Sequence, residues 1–170
     1  MAILEIVKYG NSTLVKRAKE IKTIDKEIEV LAQNMIQTMH AAPGIGLAAP
    51  QVNVSKRLIT IDLSVGERIE DLIILINPEF IGQEGENILE EGCLSVPDVS
   101  EKVPRPSRVV VKGMDLKGKE IIIEAEGTLA RVFCHEIDHL NGKLFFENLS
   151  PLKKSIIKKK LKKKVQTDKI

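Results

Sequence analysis

His135, Glu136 and His139 form an H-E-x-x-H pattern that uses two of the three histidines in this 170-residue chain. On a helix, that spacing puts both imidazoles on one face, with Glu136 one step round. Two nitrogen ligands on one rigid element can grip a divalent metal. A catalytic site then needs about one more protein ligand and an open position for water. Cys93, in Glu91-Gly92-Cys93-Leu94-Ser95, is the leading candidate. Its thiolate and two neutral imidazoles would make a roughly tetrahedral set in which the metal acidifies a water molecule. Glu136 reaches the metal less easily than its histidine neighbours and is placed to take that water's proton as general base. The chemistry reached from these residues is metal-assisted hydrolysis of an amide.

The elements that must position these groups are legible around them. Gly127 and Thr128 can open the histidine helix, Leu129, Val132, Phe133, Ile137 and Leu140 recur at near-helical intervals, and Gly142 can close it. An earlier helix is expected at about 25 to 41, with Asp25 as N-cap and Ile28, Leu31, Ala32, Met35, Ile36 and Met39 on one apolar face. Pro43 and Gly44 stop it. His40, near its C-terminus, reads as a surface residue favoured by the helix dipole. Strand-like runs follow at Leu58 to Leu63, Leu72 to Ile76, Ser107 to Met114 and Lys119 to Ala125, with Asp115-Leu116-Lys117-Gly118 as a turn. Strands that cluster between helices argue for an α+β fold and against a doubly wound sheet. Gly44 and Gly46 flank Ile45 where an incoming peptide backbone could approach closely, and Gly92 does the same beside Cys93.

The segments Gly44-Ile45-Gly46-Leu47-Ala48-Ala49-Pro50-Gln51, Glu91-Gly92-Cys93-Leu94-Ser95 and His135-Glu136-Ile137-Asp138-His139 resemble, in order, the three signature motifs of the peptide deformylases. The family patterns G-x-G-x-A-A-x-Q, E-G-C-x-S and H-E-x-D-H are all met in full. The resemblance implies a mixed or antiparallel β-sheet packed around a central metal-binding helix. It implies hydrolysis of the formyl group from the N-terminal formylmethionine of newly made peptides, with release of formate. It places Gln51, through its side-chain N–H, and Leu94, through its backbone N–H, as donors to the oxyanion. Ile45, Leu89 and Val132 carry over as the methionine pocket, with His135 at its base. Gly44, Gly46, Glu91 and Gly92 complete the substrate-binding set. Fe(II) is the metal implied, with Zn(II), Ni(II) or Co(II) as substitutes that a thiolate and imidazoles also accept. One departure stands out. Cys134 occupies a position where the family more often has glutamine, and it reads as a small buried side chain, about 100° round the helix from His135. Arg105 is expected to pair with Glu91 and hold the cysteine loop, and Asp138 to pair locally.

Composition fits a globular chain, with 43% hydrophobic residues and a net charge of +2. No apolar run would cross a bilayer, no secretory signal is expected at the N-terminus, and two cysteines make no disulfide framework. The cytoplasm is the expected compartment, with neither membrane nor DNA as a partner. The charge is unevenly placed. Residues 151 to 170 carry nine lysines against Asp168 alone, a local +8 that leaves the remainder near −6. A catalytic domain over residues 1–150 is therefore expected, followed by a basic helix over 151–170 that packs on it or extends from it. Leu152, Ile156, Leu161 and Val165 are expected to make that helix's apolar stripe. Its lysines suit either a solvated face or docking on the ribosome.

Two rival readings make different demands. A zinc endopeptidase would take its third ligand downstream, where Glu147 is the nearby candidate. An RNA-binding module with a structural metal would need Cys134 to close the site as a fourth ligand.

Overall fold

The computed structural model describes residues 2–168, with side chains through Gln166; Met1, Lys169 (one of the nine tail lysines) and Ile170 lie outside it. The first helix, α1 (Lys26–Ala41), starts where expected: the Asp25 carboxylate accepts from the Ile28 backbone N–H at 3.1 Å. A short strand, β1 (Gly46–Ala48), leads through a 3₁₀ turn to β2 (Leu58–Asp62) and β3 (Leu72–Glu84). Then come β4 (Asn87–Cys93), β5 (Val96–Arg105), β6 (Arg108–Met114) and β7 (Glu120–Glu126). The histidine helix is α2 (Gly127–Leu140), and the lysine-rich helix is α3 (Pro151–Asp168).

Five strands form one antiparallel sheet in the order β1-β2-β3-β6-β7, while β4 and β5 pair only with each other. The fold is α+β, as expected. All five positions of β2 are buried because the large sheet is covered on both faces. Ala130, Phe133, Ile137 and Leu140 of α2 pack with Ile59, Ile61, Leu75, Val109 and Val111. Ile28, Ala32, Met35 and Met39 of α1 pack with Leu47, Leu58 and Ile76 on the other side. On the side of α2 away from the first cluster, Arg131 and His135 meet Glu91 of the β4–β5 hairpin.

Three expectations are corrected. The β4–β5 hairpin was not anticipated, because Glu90, Glu91, Pro97, Pro104 and other polar residues break the apolar alternation that marks a half-buried strand. In α3 the buried residues are Ile157 and Leu161, which join Val96, Val103, Phe145 and Phe146, whereas Leu152 and Ile156 of the anticipated stripe are 71% and 59% exposed. His40 is more than a surface residue. Its Nε2 lies 2.8 Å from Oδ2 of the buried Asp62, which also accepts from Ser64 and the Gly66 backbone. Burial alone would raise the Asp62 pKa, but hydrogen bonds from Ser64, His40 and Gly66 outweigh it and hold the carboxyl below its ordinary range.

Candidate active site

Two elements meet at the site. Cys93 ends β4, and His135 and His139 stand one turn apart on the face of α2 turned toward it. Their ligand atoms lie within 4.8 Å of one another. The His139 Nε2 is 3.4 Å from the Cys93 Sγ and 3.2 Å from the His135 Nε2. Around a tetrahedral ion with ordinary Zn–N and Zn–S bond lengths, such atoms would stand about 3.3 Å (N to N) and about 3.6 Å (S to N) apart. The three donors thus fit one transition-metal ion with little movement, and their soft and borderline character suits zinc, iron, nickel or cobalt.

The two histidines are prepared differently. Burial and the neighbouring His135 push the His139 pKa well below its ordinary value, so its ring is neutral. Its Nδ1 is one of two buried side-chain N/O atoms without a hydrogen-bond partner among the described residues. For His135 burial also opposes the charge, but hydrogen bonds with Cys93 and Glu91 outweigh it and raise the pKa. The His135 Nδ1–H donates to Glu91 Oε1 at 3.0 Å, which leaves Nε2 facing the cluster.

Glu91 is the hub of this support. Its Oε1 also accepts from Arg105 Nη2 at 3.0 Å, and its Oε2 accepts from Arg105 Nε at 2.9 Å and Arg131 Nη1 at 2.5 Å. Burial works to raise its pKa, but His135 and Arg105 outweigh that and bring the carboxyl down to about 2. The expected Arg105–Glu91 pair is present. Asp138 accepts from Arg105 Nη1 at 2.6 Å and so extends the network. Glu91 borders the cleft, and both its oxygens are taken by internal donors.

Glu136 is built in the opposite way. It is buried, its Oε1 is the second side-chain atom without a partner, and burial raises its pKa to about 7. Its Oε2 occupies the space where a Gly46 Cβ would stand, 2.6 Å away, and Val132 Cγ1 would be 2.8 Å from that Cβ. Gly46 is therefore glycine because the chain's own carboxyl needs the room, a reason beyond the open backbone read from sequence. Gly44 is also tight, since a Cβ there would meet Leu94 Cδ1 at 3.1 Å.

Gln51 is 2% exposed and fixed at both ends of its amide. Its Oε1 accepts from the Ala48 backbone N–H at 3.0 Å, while Nε2 lies 3.3 Å from Ser95 Oγ and 3.7 Å from Cys93 Sγ. Leu94 lies in the turn between β4 and β5. A cleft of about 840 Å³ runs past these groups, and Gly44, Ile45, Gly46, Gln51, Leu89, Gly92, Leu94 and Val132 all border it with Cys93, His135 and Glu136. The structure thus gathers these residues at one cleft, with His139 buried behind it against Cys93 and His135.

The comparison with known proteins decides the family. The family described as polypeptide deformylase matches residues 3–155. The chain belongs to that family. It is 54% identical to the peptide deformylase of Thermodesulfovibrio yellowstonii over 96% of this chain and 99% of the relative. It is 49% identical to peptide deformylase 2 of Nitrosomonas europaea over 98% of this chain and 89% of the relative. A crystal structure of a peptide deformylase from Legionella pneumophila superposes with a TM-score of 0.89 at 43% identity, covering 98% of this chain and 97% of that one. The enzyme from Ehrlichia chaffeensis, solved in complex with actinonin, gives 0.87 at 38% identity, over 96% of this chain and 98% of that one. The activity is accordingly removal of N-formyl groups from nascent polypeptides, and it depends on a metal.

The rival demands are not met. Glu147 pairs with Lys158 and is not among the clustered ligands, and Cys134 is buried in the apolar core with its thiol pushed up by burial to about 11. Sequence reasoning missed Arg131. A signal was available: it is the one charged residue between Leu129 and Cys134, and it stands four residues before His135, hence on the same helix face.

Proposed function

We propose that Cys93, His135 and His139 hold the catalytic metal and that Glu136 moves the protons of deformylation. The observation behind this reading is a ligand trio at bonding separations beside a buried carboxyl with an unpartnered oxygen. Bound there, the ion supplies Lewis acidity to a water molecule and to the formyl carbonyl. Glu136 takes a proton from the water as its oxygen bonds to the formyl carbon. It returns that proton to the amine as the C–N bond breaks, so formate and a free N-terminus leave. A carboxyl with a pKa of about 7 suits both transfers near neutral pH. Gln51 Nε2 and the Leu94 backbone N–H donate to the developing oxyanion, and the amide of Gln51 is already oriented by Ala48. The methionine side chain lies against Ile45, Leu89 and Val132, while Gly44, Gly46 and Gly92 let the peptide backbone approach.

Fe(II) is the native ion in this reading, with Zn(II), Ni(II) or Co(II) able to replace it. The enzyme works in the cytoplasm, consistent with free Cys93 and Cys134 and with no described helix able to cross a membrane. Residues 1–150 form the catalytic domain, and the helix Pro151–Asp168 belongs to the same domain and docks on the ribosome through its lysines.

The test is metal content and formate release from a formyl-Met peptide, measured without oxygen and then in air, for wild type, Cys93→Ser and Cys134→Ser. Iron-loaded wild type should lose activity in air, because oxygen attacks both ferrous ion and thiolate, and nickel-loaded wild type should keep it. Cys93→Ser should lose the metal under every loading, and Cys134→Ser should hold it. The reverse pattern in the two variants would defeat the ligand assignment.

A further inference from the structure

The floor of the cleft is one face of α2, made by Thr128, Arg131, Val132 and His135, and one wall is the β4 segment that carries Leu89 and Glu91. No strand pairing joins β4 and β5 to the large sheet. The gap between floor and wall must therefore be set by side chains, and Arg131 spans it. Its Nη1 donates to Glu91 Oε2 at 2.5 Å and to the Val103 carbonyl at 2.9 Å, with Leu89 O more distant at 3.4 Å. Its Nη2 donates to the Asn87 carbonyl at 2.9 Å. One planar fork thus fixes β4 at Asn87 and Glu91 and β5 at Val103, all from a helix position one turn before His135. The Arg131 side chain is only 10% exposed, so water cannot replace these bonds cheaply.

We propose that Arg131 is a positioning residue that sets the width of the peptide pocket, and through it the selectivity for the first side chain. The proposal rests on the deformylase reading. Leu89 on the wall and Val132 on the floor are the apolar surfaces whose separation it governs. Leu89 is half exposed on β4, and no apolar cluster holds it in place. Glu91 keeps Arg105 when Arg131 is replaced, so His135 retains its hydrogen-bond partner and the metal site stays assembled. Lysine cannot reproduce the fork, because a single ammonium cannot reach Asn87, Val103 and Glu91 in one plane.

The experiment compares wild type, Arg131→Lys and Arg131→Met for metal content, melting temperature, and kcat and KM on formyl-Met and formyl-Ala peptides. Both variants should hold the metal, raise KM for formyl-Met peptides roughly tenfold and leave kcat within about threefold. The preference for Met over Ala should fall by a similar factor, since a loosened apolar slot discriminates less. Should Arg131→Met fail to fold, Arg131→Lys carries the test. Unchanged KM and preference, with or without a lower melting temperature, would reduce Arg131 to a structural tie. A fall in kcat that tracks metal loss would instead make it a support of the metal site, and either result overturns the proposal. Absence of formate release by wild type would count against the activity itself, which is a separate outcome.

Discussion

Glu91 is hydrogen-bonded to His135 and Glu136 follows it in the chain, and both are buried, yet their carboxyls end in opposite states. Glu91 meets Arg105, Arg131 and the His135 Nδ1–H and titrates at about 2. Glu136 has an oxygen with no partner and titrates at about 7. Burial pushes both upward, and only the partners differ. A fully bonded carboxylate is a brace, because its proton affinity is too low to take part in chemistry near neutral pH. An unpartnered one keeps a proton affinity suited to the base role proposed for Glu136.

The sharpest way to break this contrast is to remove the charge from each in turn. Glu136→Gln should keep metal binding nearly intact while turnover falls by a factor on the order of 10² to 10⁴. Metal analysis beside formate release checks it, and normal turnover would remove Glu136 from the reaction. Glu91→Gln should act more mildly and on a different quantity. Losing a hydrogen-bond partner of a metal-binding histidine costs about 10- to 100-fold in metal affinity or activity, so titration with a chelator should show weaker retention of metal. If the two variants behaved alike, the division into brace and base would fail.

Acid titration sharpens the comparison further. The folded pKa of Glu91, about 2, lies below its ordinary 4.5, so the unfolded chain takes up a proton first as the pH falls. Its contribution to stability is therefore complete above about pH 4.5 and is lost as the pH drops toward 2. Denaturant melts of wild type and Glu91→Gln between pH 6 and 3 should converge toward the acid end. A constant gap would mean that the ion network contributes nothing through charge.

The smallest effect on turnover is expected from the tail. Cutting after Ser150 removes Ile157 and Leu161 from their contacts with Val96, Phe145 and Phe146. The melting temperature should drop by a few degrees. Formate release at 25 °C should stay within about threefold, since no residue of the site lies in α3. Ribosome binding should weaken and lose much of its salt dependence. Equal binding by the cut and full-length chains would leave the lysines as a solvated face.

The site was more legible in the sequence than the scaffold that holds it. Metal ligation and proton transfer admit few residue types, so the candidates Cys93, His135, His139 and Glu136 could be picked by type and spacing, and the structure brings them together. The α1 and α2 helices were readable because caps and apolar periodicity agree. The β4–β5 hairpin was not, since main-chain pairing and a buried ion network hold much of it and its buried Val96 and Val103 are too far apart in the chain to mark an alternation. Arg131 and the His40–Asp62 pair were hidden for a related reason. Each is a polar group made structural by partners distant in the chain, and local pattern carries no trace of such partners. The tail stripe was misread at Leu152, which is exposed, and at Ile156, where the buried residue is its neighbour Ile157, because two adjacent isoleucines fit a helical period about equally well.

The separateness of the β4–β5 hairpin bears on how the molecule opens. Its apolar contacts are with α3, Tyr9 and the 3₁₀ turn at Phe145–Asn148, and its ties to α2 are ion pairs and hydrogen bonds. Cys93 is on the hairpin, whereas His135 and His139 are on the helix, so in the proposed reading a shared ion would clasp the two elements together. Amide protons of β4 and β5 should exchange much faster in the apo protein, while those of β2 and the α2 core change little. Occupancy of the metal site would then be readable in solution as protection of a hairpin, with no substrate present.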